Sequence, residues 1–266
     1  MRIGITGCAG RMGRLLLQTV LATSGASLAG GIEQPGHPAL GEDLGTLAGA
    51  QPVGITAGAD AAALFAAADV VIDFSAPTAV LANAPLAAAH GTALVVGTTG
   101  LAAEHRAALS AAAEAVPVVV AANMSIGVNL LLGLTRRVAG ILGPEWDIEI
   151  VEMHHRHKVD APSGTALALG EAAAAGRGAA LDDAAVRVRD GHTGQRPAGA
   201  IGFATLRGGD VVGEHTVIFA GEGERIELTH KAASRGIFAG GAVRAALWCE
   251  GRAPGLYGMP DVLALA

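Results

Sequence analysis

Short β-rich runs alternate with longer helical ones through the first half of the chain, and no other feature restricts the fold as much. Arg2 to Thr6 has strand character, followed by a glycine turn and a helix to about Thr23, and Ser27 to Glu33 is a second strand. Asp60 to Ala68 is helical in pattern, and Asp69-Val-Val-Ile-Asp-Phe-Ser75 is a nearly all-apolar strand. A strand without a polar face suits a parallel sheet covered by helices on both sides. Helices are expected over Thr78 to Ala89 and Ala102 to Ala115, and strands over Thr92 to Val96 and Pro117 to Ala121. This alternation predicts an α/β fold with a doubly wound parallel sheet.

The pattern changes near residue 125. Val128, Leu131, Leu132, Val138, Ile141 and Leu142 recur at helical spacing. A strand over Asp147 to Met153 and a helix over Thr165 to Ala175 follow. Four strand-like runs come next with little helix between them: Ala185 to Arg189, Ile201 to Arg207, Val211 to Ala220 and Arg225 to His230. Helix returns over Gly236 to Cys249. Three parts are expected: residues 1–125 as the parallel domain, 126–235 as an α+β mixed-sheet domain, and 236–266 as a C-terminal segment.

Composition narrows the function. Of the 266 residues 51% are hydrophobic but only 3% aromatic, so the core must be built from Ala, Val, Leu and Ile. A net charge of -6 argues against a nucleic-acid or anionic-membrane surface. Cys8 and Cys249 are the only cysteines and suggest no disulfide framework, as in a reducing compartment. No apolar signal segment precedes the first strand, and no run of about 18 apolar residues is free of Gly, Pro or charge. A cytoplasmic protein without a membrane span is expected.

The glycine turn, Gly4-Ile-Thr-Gly7-Cys-Ala-Gly10-Arg-Met-Gly13, joins the first strand to the first helix. Glycines there let the backbone approach a pyrophosphate, and the helix N-terminus beyond offers free N–H groups. The spacing Gly7, Gly10, Gly13 departs from the usual dinucleotide fingerprint, and a tight turn with no ligand would look similar. Glu33, 20 residues after Gly13, stands where an acid grips a ribose 2′-hydroxyl. Cys8 within the turn, and Cys249 at a helix end, are expected to pack rather than react.

An acidic chain nevertheless carries His154-His-Arg-His-Lys158 in an unbroken row, followed by Asp160, Pro162 and Ser163-Gly164-Thr165 before an alanine-rich helix. A solvated loop is the bland explanation. A metal site is another, since His154 and His157 are three apart, but no cysteine or second histidine pair with ligand spacing accompanies them. An anion pocket with a proton donor is the third. Pro162 suits a helix start, Gly164 admits a ligand, and the N–H groups beyond can hold a carboxylate. Asp160 is expected to cap the helix, with orientation of Lys158 as its other possible task.

The stretch Glu152-Met-His-His-Arg-His-Lys-Val-Asp-Ala-Pro-Ser-Gly-Thr-Ala166 closely resembles the signature of the 4-hydroxy-tetrahydrodipicolinate reductase (dihydrodipicolinate reductase) family. Gly7 to Gly13 resembles its nucleotide turn, and Gly97-Thr-Thr-Gly100 and Ala121 to Asn129 its nicotinamide-side loops. The DGHTG, GFATLRGGD and GEHT segments between Arg189 and Phe219 are similar as well. The resemblance implies an N-terminal Rossmann domain that binds NADH or NADPH, and a mixed-sheet domain that binds a dicarboxylate and forms a homotetramer. The last segment would return to the Rossmann domain. It assigns His154 as acid/base and Lys158 as second proton donor, with His155, Gly164 and Thr165 on the substrate. The cofactor would be lined by Gly7, Cys8, Ala9, Gly10, Arg11, Met12, Glu33, Gln34, Gly97, Thr98, Thr99, Ala121, Ala122, Asn123 and Met124, without a metal. The reaction it implies is hydride transfer to C4 of a cyclic imine dicarboxylate of lysine synthesis. Hydride at C4 drives electron density towards the ring nitrogen and C3, so an acid must supply a proton. Histidine titrates in the right range, and a fixed ammonium can pair with a carboxylate.

Two other classes fit part of this pattern. A different dehydrogenase on the same architecture is one; an acylating semialdehyde dehydrogenase would need a reactive cysteine, and neither cysteine is well placed. A nucleotide-sensing protein without turnover is the other, and it has no use for a His/Lys row.

Overall fold

The computed structural model describes residues 1–265. In chain order the elements are β1 (Arg2–Thr6), α1 (Arg11–Ala22), β2 (Ser27–Ile32), α2 (Leu44–Leu47), α3 (Ala61–Ala67), β3 (Val70–Asp73), α4 (Pro77–His90), β4 (Ala93–Val96), α5 (Ala103–Ala113) and β5 (Pro117–Val120). There follow α6 (Ile126–Ile141), β6 (Asp147–His154), α7 (Gly164–Gly176), α8 (Leu181–Ala184), β7 (Ala185–Val186), β8 (Ile201–Arg207), β9 (Gly213–Ala220) and β10 (Arg225–Ala232). The chain ends with α9 (Gly236–Trp248), β11 (Gly255–Tyr257) and α10 (Met259–Val262). Two compact units result: residues 1–126 with 235–264, and residues 127–234.

The first unit is a six-stranded sheet in the order β2-β1-β3-β4-β5-β11, parallel throughout. Successive side chains of a strand point to opposite faces, and both faces here are apolar. Ile3, Ile5, Val70, Ile72, Val95 and Val119 meet Leu16, Leu17 and Val20 of α1 and Ala242, Val243 and Ala246 of α9. Val71, Leu94, Val96 and Val118 meet Leu64 and Phe65 of α3, Val80 and Ala84 of α4, and Leu109 of α5. Burying each such Val, Leu or Ile contributes about 1.5–3 kcal/mol. The C-terminal segment completes this unit: α9 covers one face and β11 pairs with β5 as an edge strand. This is the Rossmann-like doubly wound sheet that the alternating pattern predicts.

The second unit is a mixed sheet ordered β10-β9-β6-β8-β7, with β6 parallel to β8 and antiparallel to β9. Helices α6 and α7 cover one face, where Leu131, Ala139, Ala166, Leu169 and Ala173 pack on Ile148, Ile150, Phe203, Val217 and Phe219. The β7 strand ends at Val186 rather than running to Arg189, and β9 starts at Gly213 rather than Val211. The short α2, α8 and α10 and the three-residue β11 have no counterpart in the sequence reading, being too brief to show a period. Among the described residues no helix is long and apolar enough to cross a membrane.

Candidate active site

Ligands of open α/β sheets bind beyond the carboxyl ends of the strands, where strand order reverses. In the first unit that point lies between β1 and β3, since β1 leads outward to β2 and β3 leads the other way. A cavity of about 430 Å³ opens there, lined by Thr6, Gly7 and Gly10 after β1, Ile32, Glu33, Gln34 and His37 after β2, and Phe74, Ser75, Ala76, Thr78, Ala79 and Asn83 after β3.

The glycine turn wraps the end of β2. Gly7, at φ +64°, and Cys8 both donate their N–H to Ile32 O, at 2.9 and 3.2 Å. Gly10 is the N-cap of α1, so Arg11 and Met12 are its first helical residues. A Cβ on Gly13 would collide with Gly7 O and the Cys8 backbone, so only glycine lets the helix approach the turn this closely. Ala9 N–H donates to Glu33 Oε1 at 2.8 Å, tying the acid to the glycine turn. Cys8 is fully buried, and burial, with the Glu33 charge, pushes its thiol up to about 11; burial pushes Cys249 up to about 12. Neither is a nucleophile at neutral pH.

Asp73, at the end of β3, is a buried hub. Its carboxylate accepts from Ser75 N and Oγ at 2.9 and 2.5 Å, from Asn83 Nδ2 at 2.8 Å and from Thr98 Oγ1 at 3.1 Å. It fastens the loop after β4 (Gly97, Thr98, Thr99) to the cavity wall. Gly97 lies under the Phe74 ring, which any Cβ would strike. In the loop after β5, Ala121 and Ala122 precede Asn123, whose Oδ1 accepts from Ser125 N at 2.9 Å, and Met124 is buried in the core. The residues thus fit a dinucleotide: free N–H groups at a helix start, a shaped cavity, and an acid with a glutamine at the end of the second strand.

The basic row belongs wholly to the second unit. Alternation along β6 turns Ile148, Ile150, Glu152 and His154 to the helix-covered face, so two polar groups end an otherwise apolar row. Glu152 is 1% exposed and His154 8%. Strand register sets Arg207 of β8 beside His154, and His215 of β9 beside Glu152. His154 Nδ1 lies 2.5 Å from Glu152 Oε2; Arg207 donates to both Glu152 oxygens at 2.8 and 2.9 Å, and Ser163 N–H donates to Oε1 at 3.0 Å. Burial alone would raise the Glu152 pKa, but the Arg207, His154 and Ser163 hydrogen bonds outweigh it and hold the carboxyl below its ordinary value. The His215 ring stands edge-on to His154 at 5.1 Å, with Nε2 3.0 Å from Ser163 Oγ. Burial, then the neighbouring His154, pushes His215 down to about 4, so it is neutral.

Beyond β6 the row turns outward. His155 is half-buried, with its ring 6.3 Å from that of exposed His157. Lys158 Nζ pairs with Asp160 Oδ1 at 2.8 Å, and Arg207 donates to Asp160 O at 2.6 Å. Two expectations are corrected here. The cap of α7 is Ser163, whose Oγ accepts from Ala166 N at 3.1 Å, while Asp160 is used to hold Lys158. Pro162 precedes that cap, so Gly164 and Thr165 are the first helical residues. The space above Gly164 is open; a Cβ there would meet nothing within 4 Å. The missed residues are Asp73, Glu152, Arg207 and His215. The available signal was a charged or imidazole side chain at the inward phase of an apolar strand. Among the described residues no cluster of three or more His, Cys, Asp or Glu is disposed to hold a metal ion.

A parallel sheet with a glycine turn at its switch point is the fold of dinucleotide-dependent oxidoreductases, and the mixed sheet of the same chain carries the buried His154 network and Lys158. The family models described as dihydrodipicolinate reductase, N-terminus and C-terminus, match residues 1–124 and 127–263. The chain belongs to the dihydrodipicolinate reductase family. It is 59% identical over 266 residues to a 4-hydroxy-tetrahydrodipicolinate reductase of Parvibaculum lavamentivorans, covering all of this chain and 98% of that one. It is 56% identical over 265 residues to that of Methylocella silvestris, covering all of this chain and 97% of that one. Among solved structures, the dipicolinate-bound dihydrodipicolinate reductase of Paenisporosarcina superposes with a TM-score of 0.78 at 25% identity, over 99% of both chains. A putative myo-inositol dehydrogenase of Sinorhizobium meliloti, at 15% identity and TM-score 0.63 over all of this chain and 94% of that one, shares the fold.

Proposed function

We propose that this enzyme reduces 4-hydroxy-tetrahydrodipicolinate to tetrahydrodipicolinate with NADH or NADPH, in the diaminopimelate route to lysine. The observation that carries the reading is the network at the end of β6, where Glu152, Arg207 and Asp160 link buried His154 and Lys158 to the start of α7. A substrate with two carboxylates suits a lysine ammonium and helix N–H groups together. The relative from Paenisporosarcina holds dipicolinate, a planar pyridine dicarboxylate of that same chemistry.

In this reading residues 1–125 bind the dinucleotide, residues 126–235 bind substrate and assemble the homotetramer, and residues 236–266 belong with the first part. Gly7, Cys8, Ala9, Gly10, Arg11 and Met12 meet the pyrophosphate, Glu33 and Gln34 the ribose, and Gly97, Thr98, Thr99, Ala121, Ala122, Asn123 and Met124 the nicotinamide side. When bound, the nicotinamide supplies a hydride to C4 of the substrate ring. His154 gives the proton that completes the reduction. Lys158 pairs with a substrate carboxylate and steadies the developing charge, and His155, Gly164 and Thr165 hold the second carboxylate. Half-exposed Val151, Met153 and Ile218 and 49%-exposed Leu206 lie on the sheet face opposite α6 and α7, and in this reading they meet other copies of the chain.

The test supplies NADH and substrate freshly made from pyruvate and aspartate semialdehyde by the preceding synthase, and follows nicotinamide absorbance. Oxidation of NADH is expected in the wild type. His154→Ala should lower turnover by roughly two to four powers of ten, the usual worth of a positioned acid. Lys158→Ala should lose both turnover and affinity for the pyridine dicarboxylate as a competitive inhibitor. Near-normal turnover in folded His154→Ala rules out the acid, and equal inhibitor binding places the pocket elsewhere.

A further inference from the structure

We propose that Glu152 is a positioning residue for His154, holding the ring so that Nε2 alone exchanges a proton with substrate. The inference rests on the reading of His154 as the acid. Glu152 stands two residues before His154, on the same inward face of β6. Its carboxylate is surrounded by donors: Arg207 on both oxygens, Ser163 N–H on Oε1 and His154 Nδ1 on Oε2. An ionised carboxylate only accepts, so the hydrogen between Oε2 and Nδ1 belongs to the imidazole. Neutral His154 therefore carries its hydrogen on Nδ1 and a lone pair on Nε2.

The surroundings of Nε2 agree. A Cβ on Gly213 would stand 3.0 Å from it, and glycine leaves that approach clear. The neighbouring His215 ring stands edge-on at 5.1 Å, with its own Nε2 engaged by Ser163 Oγ. Arg207 fixes the plane of the carboxylate with a two-pronged contact, and its bond to Asp160 O ties the same anchor to the loop that carries Lys158. In turnover the doubly protonated ring breaks its Nε2–H bond as the electron pair at C3 of the reduced substrate forms the new C–H bond. Neutral His154 is left with Nδ1–H still on Glu152, and a proton from solvent restores it. A free imidazole would divide itself between two tautomers and many orientations; this one is limited to a single productive arrangement. Glu152 does not touch substrate and acts only through His154.

Two measurements test this. The first uses the wild-type protein with ¹⁵N-labelled histidine, and His154→Ala to identify the resonances. At a pH where the ring is neutral, Nδ1 of His154 should show the shift of a protonated nitrogen and Nε2 that of a bare one. The reverse assignment overturns the proposal, and this result does not depend on a variant folding. The second is kinetic. Glu152→Gln should lower kcat roughly a hundredfold while KM for NADH stays within about twofold, and Glu152→Asp, which keeps a carboxylate, should recover part of the loss. A change in NADH affinity equal to the change in kcat, or no recovery by aspartate, would indicate a merely structural role and overturn the proposal. Full turnover in folded His154→Ala overturns the acid assignment and this inference with it. Full turnover in Glu152→Gln beside an inactive His154→Ala overturns this inference alone.

Discussion

Two single residues, Gln34 and His215, can each be tested directly. Gln34 follows Glu33 at the edge of the cavity, where an arginine could meet a 2′-phosphate. Glutamine brings no charge, and Glu33 repels a phosphate. We expect NADPH to be accepted and NADH used at least as well. A charge-assisted hydrogen bond contributes about 1.5–3 kcal/mol, so Gln34→Arg should shift the ratio of kcat/KM about tenfold or more towards NADPH. Parallel kinetics with both cofactors decide it; a strong wild-type preference for NADPH that Gln34→Arg leaves unmoved refutes this account of the second strand's end. The other residue is His215, 4% exposed and pushed down to about 4 by burial and then by neighbouring His154. Unfolded, it takes up a proton near 6.5, so the unfolded chain binds more protons between those values. Stability from this group is complete above about pH 6.5 and is lost as pH falls towards 4, by about 3 kcal/mol at most. Thermal melts from pH 7 to 4 should fall less steeply for His215→Asn than for the wild type. Parallel curves would show that the buried imidazole does not set the slope.

At the scale of elements, two helix starts look alike in sequence and differ in what glycine does there. Gly13, in the first turn of α1, lies against Gly7 O and the Cys8 backbone, so Gly13→Ala must push the helix from the turn. Overpacking of this kind costs about 1–3 kcal/mol, and dinucleotide affinity should fall with it. Gly164, at the start of α7, faces open space, so Gly164→Ala should leave the melting temperature nearly unchanged while raising KM for the dicarboxylate. Calorimetry and steady-state kinetics on both variants separate the cases. Equal destabilisation by both would mean that Gly164 is a packing residue. The elements themselves were largely legible: β1, α1, β3 and α4 announce themselves through apolar periodicity and turn residues. The roles of Asp160 and Ser163 were not. Both are acceptors near the start of one helix, and the choice depends on where Lys158 and Ala166 N–H end up in space.

For the whole molecule the prediction concerns assembly. Val151, Met153, Leu206 and Ile218 present a half-exposed apolar face on the second sheet. Stable homo-oligomer interfaces are built from such faces. Light scattering should give fourfold the 26.3 kDa chain mass, and Leu206→Asp should reduce the assembly to smaller species with the circular dichroism spectrum kept. A monomeric wild type would refute the tetramer. By itself the sequence determined the doubly wound sheet, the change of architecture near residue 125 and the two chemical stretches. Period, turn chemistry and charge act between residues near one another along the chain, and those are visible in a string of letters. Tertiary structure alone decided that β11 pairs with β5 at the sheet edge and that Asp73 ties α4 and the loop after β4 to the end of β3. It also decided that Arg207 and His215, more than fifty residues from Glu152, stand beside it. Those pairings follow from strand register, and register is set by which side chains the assembled core buries together, a quantity no local window contains.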